Sequence, residues 1–176
     1  MIERTIDDGR WTVIQRQDLD LPIHFQVDSA FAARVQRARL ARSARRTLRA
    51  EKSRGDVTIV VTTDAKIRRL NKKFHATDAA TDVLAFPSRT LGDHKGRPYV
   101  GDIIISYDTA RKNARRAGWQ IANELDLLVV HGILHLLGYA DTSPRQRARM
   151  WQRQEKILQK RIRTMDGRRK TIYERR

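Results

Sequence analysis

Apolar and polar positions alternate along this chain at two periods, and the switches between them mark its elements. Pro22 to Val27 places apolar side chains at alternate positions, which predicts a half-buried strand with His24 on its polar side. Asp28 or Ser29 can cap a long helix running to about Ser53, with Phe31, Val35, Ala38, Ala41 and Leu48 as its apolar stripe. Gly55-Asp56 ends that helix. Val57 to Thr62 is a β-branched run suited to a central strand. Thr63 or Asp64 caps a second helix with Ile67, Leu70 and Phe74 on one face. Thr81 to Phe86 reads as a strand closed by Pro87. A loop from Ser88 to Pro98 follows, with His94 exposed in it. Tyr99 to Ser106 is the next strand, and Ser106 or Asp108 starts a helix that Gly118 stops.

Two more helices complete the series. Gln120 to Leu137 is strongly apolar, and Ser143-Pro144 opens the last helix, Ser as cap and Pro at the first helical position. Trp151, Leu158 and Ile162 face inward. Strand, helix, strand, helix, two strands and three helices predict an α+β domain, a small mixed four-stranded sheet surrounded by helices. Residues 1–20 read as a loosely ordered lead-in, 21–163 as one domain and 164–176 as a basic tail.

The apolar helix carries the candidate chemistry. His131 and His135 are four residues apart, which returns to nearly the same helix face. Gly138 can take the left-handed conformation that ends a helix, so the chain turns back with Asp141 nearby. Two imidazoles, a carboxylate and an open position describe a catalytic zinc site. The spacing resembles the zincin pattern of two histidines on a helix, then Gly, then a third ligand. Zincin proteases carry a glutamate base directly after the first histidine. Here Gly132 stands in its place, which argues against peptide hydrolysis.

Charge narrows the partner. Lys and Arg number 37 against 20 Asp and Glu, a net charge of +17 over 176 residues. Such an excess points to a polyanion, most simply nucleic acid. The first long helix concentrates it, and Arg42, Arg45, Arg46 and Arg49 are its expected phosphate contacts. With no cysteine, a metal must be held by histidine and carboxylate. No apolar run is long enough to span a membrane, so the chain reads as a soluble, cytoplasmic protein.

Three segments together resemble the YbeY family of metal-dependent endoribonucleases. They are Leu70-Asn71 followed by Thr81-Asp82-Val83-Leu84-Ala85-Phe86-Pro87, then Gly101-Asp102-Ile103-Ile104-Ile105-Ser106, then His131 to Tyr139. The resemblance implies that 21–163 is a YbeY-like catalytic domain with a zincin-like metal-bearing helix. It also implies one Zn2+ on His131, His135 and Asp141, and single-stranded RNA cleavage in ribosomal RNA maturation at the small ribosomal subunit. Two positions depart from the family pattern. Asp141 stands where a third histidine is usual, and His75 falls where the family has a functional arginine. His75 is then the candidate phosphate contact beside the catalytic His131. Asp82 and Asp102, at strand ends, are candidates to orient a ligand histidine. The alternative is a catalytically weakened rRNA-binding assembly factor whose metal is structural.

Overall fold

The computed structural model describes residues 3–7, 10–14, 21–88 and 98–159. The expectations for His94, Ile162 and the tail 164–176 fall outside them. Strands β1 (Glu3–Asp7) and β2 (Arg10–Ile14) pair antiparallel, so the segment expected to be a loose lead-in contains a hairpin.

The domain proper follows the predicted order. Strand β3 (Ile23–Val27) leads through a 3-10 turn at Ser29–Phe31 to helix α1 (Arg37–Ala50). Then come β4 (Asp56–Thr62), α2 (Asp64–His75), β5 (Val83–Pro87), β6 (Tyr99–Ser106), α3 (Tyr107–Ala117), α4 (Ile121–Leu136) and α5 (Pro144–Leu158). The sheet is mixed, in the order β3-β4-β6-β5. β3, β4 and β6 run parallel, and β5 lies antiparallel at the edge beside β6.

Local chemistry places several boundaries where the sequence put them. Thr63, Ser106 and Ser143 cap α2, α3 and α5, each side chain accepting from a backbone N–H of the first turn. At α5 the cap is reciprocal, with Gln146 accepting from the Ser143 N–H at 3.0 Å. Gly118 ends α3 at φ +67°.

The expected long helix from residue 28 to 53 is instead broken in two. Asp28 does cap its start, accepting from the Ala30 N–H. Phe31 then stacks on Tyr107 at 4.5 Å between ring centroids, and Val35 is buried in the same core. Those two anchors fix the entry, and α1 starts afresh at Arg37. The interruption resets the helical phase. Leu40, Ala41, Ala44, Thr47 and Leu48 are buried, while Ala38 turns to solvent.

Helix α4 is buried nearly all round, as an apolar helix in the middle of a domain must be. It lies on the sheet face that carries Gly101, Ile103 and Ile105. A Cβ on Gly132 would meet Ile103 Cγ2 at 2.7 Å, and one on Gly101 would meet Leu136 Cδ2 at 2.9 Å. These two glycines let helix and sheet approach. Helices α1, α3 and α5 flank α4. Arg39 of α1 reaches Asp126 of α4 at 2.7 Å and Asn123 at 2.8 Å, and Ser43 donates to Asp126 at 2.9 Å. Among the described residues, no helix is long and apolar enough to cross a membrane.

Candidate metal centre

The last two turns of α4 and the segment after it build the site. His131 and His135 project from one helix face with their rings edge to face, centroids 4.5 Å apart and Nε2 atoms 3.0 Å apart. The helix then ends in a double hydrogen-bonded turn. Gly138 N–H donates to the His135 carbonyl, and Tyr139 N–H to the Leu134 carbonyl, both at 3.0 Å. Gly138 sits at φ +89° with open space where a Cβ would be, so backbone conformation alone demands glycine here. Tyr139 packs back against the Leu134 cluster.

That reversal delivers Asp141. Its backbone carbonyl accepts from Arg147 at 3.0 Å, and the α5 cap follows immediately, so Asp141 is held between two structured termini. Its Oδ2 lies 3.9 Å from His135 Nε2, and ligand atoms of all three residues fall within 4.8 Å of one another. Tetrahedral zinc with nitrogen and oxygen donors at about 2.0–2.1 Å separates its donors by roughly 3.3 Å. The donor spacing brackets that value, so the three residues fit a zinc ion or a similar divalent metal.

The environment suits a ligand set. His131 is 3% exposed, while His135 and Asp141 are half-buried. Burial, then the neighbouring His135, pushes the His131 pKa down to about 3, with the nearby Gln154 side chain working in the opposite direction. A neutral imidazole is the form that binds metal. Gln154 is buried on α5 between Met150 and Ile157, which pack on Val130 and Leu134 beside His131. Sequence reasoning missed it. The available signal was a polar residue on the apolar stripe of an amphipathic helix.

His135 and Asp141 open onto a cleft of about 450 Å³. Asn71, His75, Thr81, Val83, Leu84 and Ala85 line the rest of it, so α2 and β5 form the wall facing the candidate metal ligands. The structure thus brings His75 to the same cleft as His135 and Asp141. Its ring is exposed and lies 6.1 Å from that of Phe86. Asn71 is mostly buried and donates to the Ala79 carbonyl at 2.8 Å, which fixes the chain between α2 and β5.

The two aspartates separate. Asp82 is buried at the start of β5, next to the lining residues Thr81 and Val83. One of its oxygens accepts from the Val83 N–H at 2.9 Å and the other from Asn113 at 3.2 Å. Asp102 corrects the expectation made for it. It alternates with Ile103 and therefore points to the sheet face away from α4. There it accepts from the Tyr99 hydroxyl at 2.7 Å, so it cannot orient a ligand histidine. Glu124, seven residues before His131 on α4, is 3% exposed and accepts from Trp119 Nε1 at 2.9 Å. Burial, then the charge of Asp82, raises its pKa to about 7.

The candidate phosphate contacts on α1 also divide. Arg42, Arg46 and Arg49 are exposed, while Arg45 is half-buried and donates to the Leu21 carbonyl at 3.1 Å. Arg46 also reaches the Ile157 carbonyl at 3.3 Å.

A family model described as Endoribonuclease YbeY matches residues 24–161. The chain belongs to the YbeY family. It is 39% identical over 150 residues to the Endoribonuclease YbeY of Roseiflexus castenholzii, covering 80% of this chain and 93% of that protein. Against the Aquifex aeolicus Endoribonuclease YbeY it is 44% identical over 85 residues, covering 48% of this chain and 55% of that protein. The solution structure of TM1509 from Thermotoga maritima superposes with a TM-score of 0.55 at 25% identity, over 78% of this chain and 87% of that one. The YbeY match spans the sheet, the cleft and the three metal-ligand candidates. Within it, Gly132 explains the absent protease base: the position is pressed against Ile103 and has no room for a side chain.

Proposed function

We propose that this chain is a zinc-dependent endoribonuclease that cleaves single-stranded RNA in ribosomal RNA maturation, acting in the cytoplasm on the small ribosomal subunit. The observation that carries the reading is the convergence of His131, His135 and Asp141 at the end of a cleft whose facing wall presents His75. The family's endoribonuclease activity supplies the reaction class, and the excess of basic residues suits the substrate.

His131, His135 and Asp141 would hold one zinc ion, and a bound ion supplies Lewis-acid polarisation of a phosphoryl oxygen. The chain's own groups do the rest. Asp141 brings a negative charge where the family usually has a neutral imidazole, which favours harder metals. His75, when protonated, donates a charge-assisted hydrogen bond to the substrate phosphate, without the bidentate fork of arginine. Asp82 holds the start of β5 and so keeps the facing wall in place. RNA carries its own 2′-hydroxyl, so cleavage does not require a glutamate after the first histidine. Nothing in the site favours the alternative of an inactive assembly factor.

His131→Ala and His135→Ala should each abolish cleavage of an unstructured RNA while leaving its binding intact. Cleavage that survives both substitutions in a nuclease-free preparation overturns the assignment. Elemental analysis should find about one zinc per chain in the native protein and less in Asp141→Ala.

A further inference from the structure

One side chain near the cleft has no structural reason to be where it is. Phe74, expected on the buried face of α2, is 55% exposed, the one large hydrophobic exposed among the described residues. The apolar stripe of α2 begins in the core at Ile67, is half-covered at Leu70 and has run out over the sheet edge by Phe74. The ring is nonetheless held. Phe86 of β5 meets it at 66°, with centroids 5.2 Å apart, an edge-to-face arrangement. Phe74 precedes His75, and Phe86 follows Leu84 and Ala85. All three of those neighbours line the cleft that holds His135 and Asp141.

The surroundings are cationic. Lys73 Nζ lies 5.2 Å from the Phe74 ring centroid. Of the cations on the same helix, Arg68 and Lys72 are answered by Asp78 and Lys66 by Asp28. Arg69 and Lys73 are exposed and have no carboxylate partner among the described residues. An exposed aromatic face flanked by unneutralised cations, at the mouth of a cleft, matches a particular ligand chemistry. It is the arrangement that takes an unpaired nucleobase by stacking and its phosphate by charge. A duplex would keep its bases stacked on each other and offer no free face to the ring.

We propose that Phe74 is the stacking platform for an unpaired nucleobase of RNA entering the cleft, with Lys73 meeting the adjoining phosphate. The inference rests on the endoribonuclease reading and adds a source of preference for single strands. It makes Phe74 a binding residue rather than a catalytic one. Because the ring is more than half exposed, its replacement leaves the core untouched.

The test is binding of a short, unstructured, fluorescein-labelled RNA to the full chain, read by anisotropy in EDTA so that affinity is measured without cleavage. Phe74→Ala and Phe74→Leu should both weaken binding roughly tenfold, and Phe74→Trp should restore it with quenching of the added indole. An oligonucleotide of the same length made of abasic ribose phosphates should bind the native protein and Phe74→Ala equally. If native protein binds RNA and Phe74→Ala binds it as tightly, the platform is wrong and the nuclease reading stands. If Phe74→Leu keeps full affinity while Phe74→Ala loses it, the contact is generic apolar packing, such as a protein partner would use, and stacking is refuted. If native protein binds no RNA at all, both readings fall.

Discussion

Replacing Glu124 by glutamine should change the pH dependence of stability in a defined direction. The carboxyl is buried, and its pKa stands at about 7 in the folded chain against an ordinary value of 4.5. Burial is the larger cause and the nearby Asp82 charge the second. A group whose pKa is raised on folding favours the folded state while it is protonated there. Its contribution is therefore fully present below about pH 4.5 and is lost as the pH rises through about 7. The gap of about 2.5 units corresponds to roughly 3 kcal/mol at about 1.4 kcal/mol per unit. Most of that, about 2–3 kcal/mol, should be lost between about pH 5 and about pH 8. Glutamine keeps an oxygen to accept from Trp119 Nε1 but has no proton to lose. The stability of Glu124→Gln relative to the native chain should thus rise by about 2–3 kcal/mol over that interval. Urea unfolding followed by tryptophan emission, at matched ionic strength, reads it directly. His131 also resists protonation in the folded state, but it is common to both proteins and drops out of the difference. A difference that stays constant within about 0.5 kcal/mol would refute the reasoning, because Glu124 would then ionise as it does in the unfolded chain.

Two other substitutions probe the metal centre and the basic surface. Gln154→Leu preserves the packing between Met150 and Ile157 but removes the buried polar group that raises the His131 pKa. Zinc affinity should fall about 10- to 100-fold with little change in thermal stability of the metal-free protein, and the His131 ring nitrogens should shift in NMR. Unchanged affinity would show that Gln154 only fills space. For the basic surface, Arg42→Gln with Arg49→Gln should lower RNA affinity and flatten its logarithmic salt dependence by about 1.4, or about 0.7 for each phosphate no longer neutralised. An unaltered slope would move the RNA path off α1.

The candidate metal centre was legible because its signals are local. A four-residue histidine spacing, a glycine that needs φ +89° and a carboxylate three residues on all sit within one helix end. The caps of α2, α3 and α5 are local in the same way. What was not legible depends on partners far away in sequence. Arg39 looks like its neighbours on α1, yet it is committed to Asp126, and only the packing of α1 on α4 decides that. Arg45 is likewise drawn to the Leu21 carbonyl. The side of the sheet on which Asp102 falls was unreadable until Ile103 was placed under Gly132, since a strand offers either face to the core. The burial of Glu124 and Gln154 is intermediate between these cases. Each is a polar residue at a helix position that periodicity assigns to the interior, and burial there requires a partner. Glu124 found the Trp119 indole, and Gln154 lies close enough to His131 to act on its pKa. A polar interruption of an apolar stripe is therefore a sequence-level signal for a buried polar group with a task. In this chain the interruption at Gln154 lies beside a candidate metal ligand.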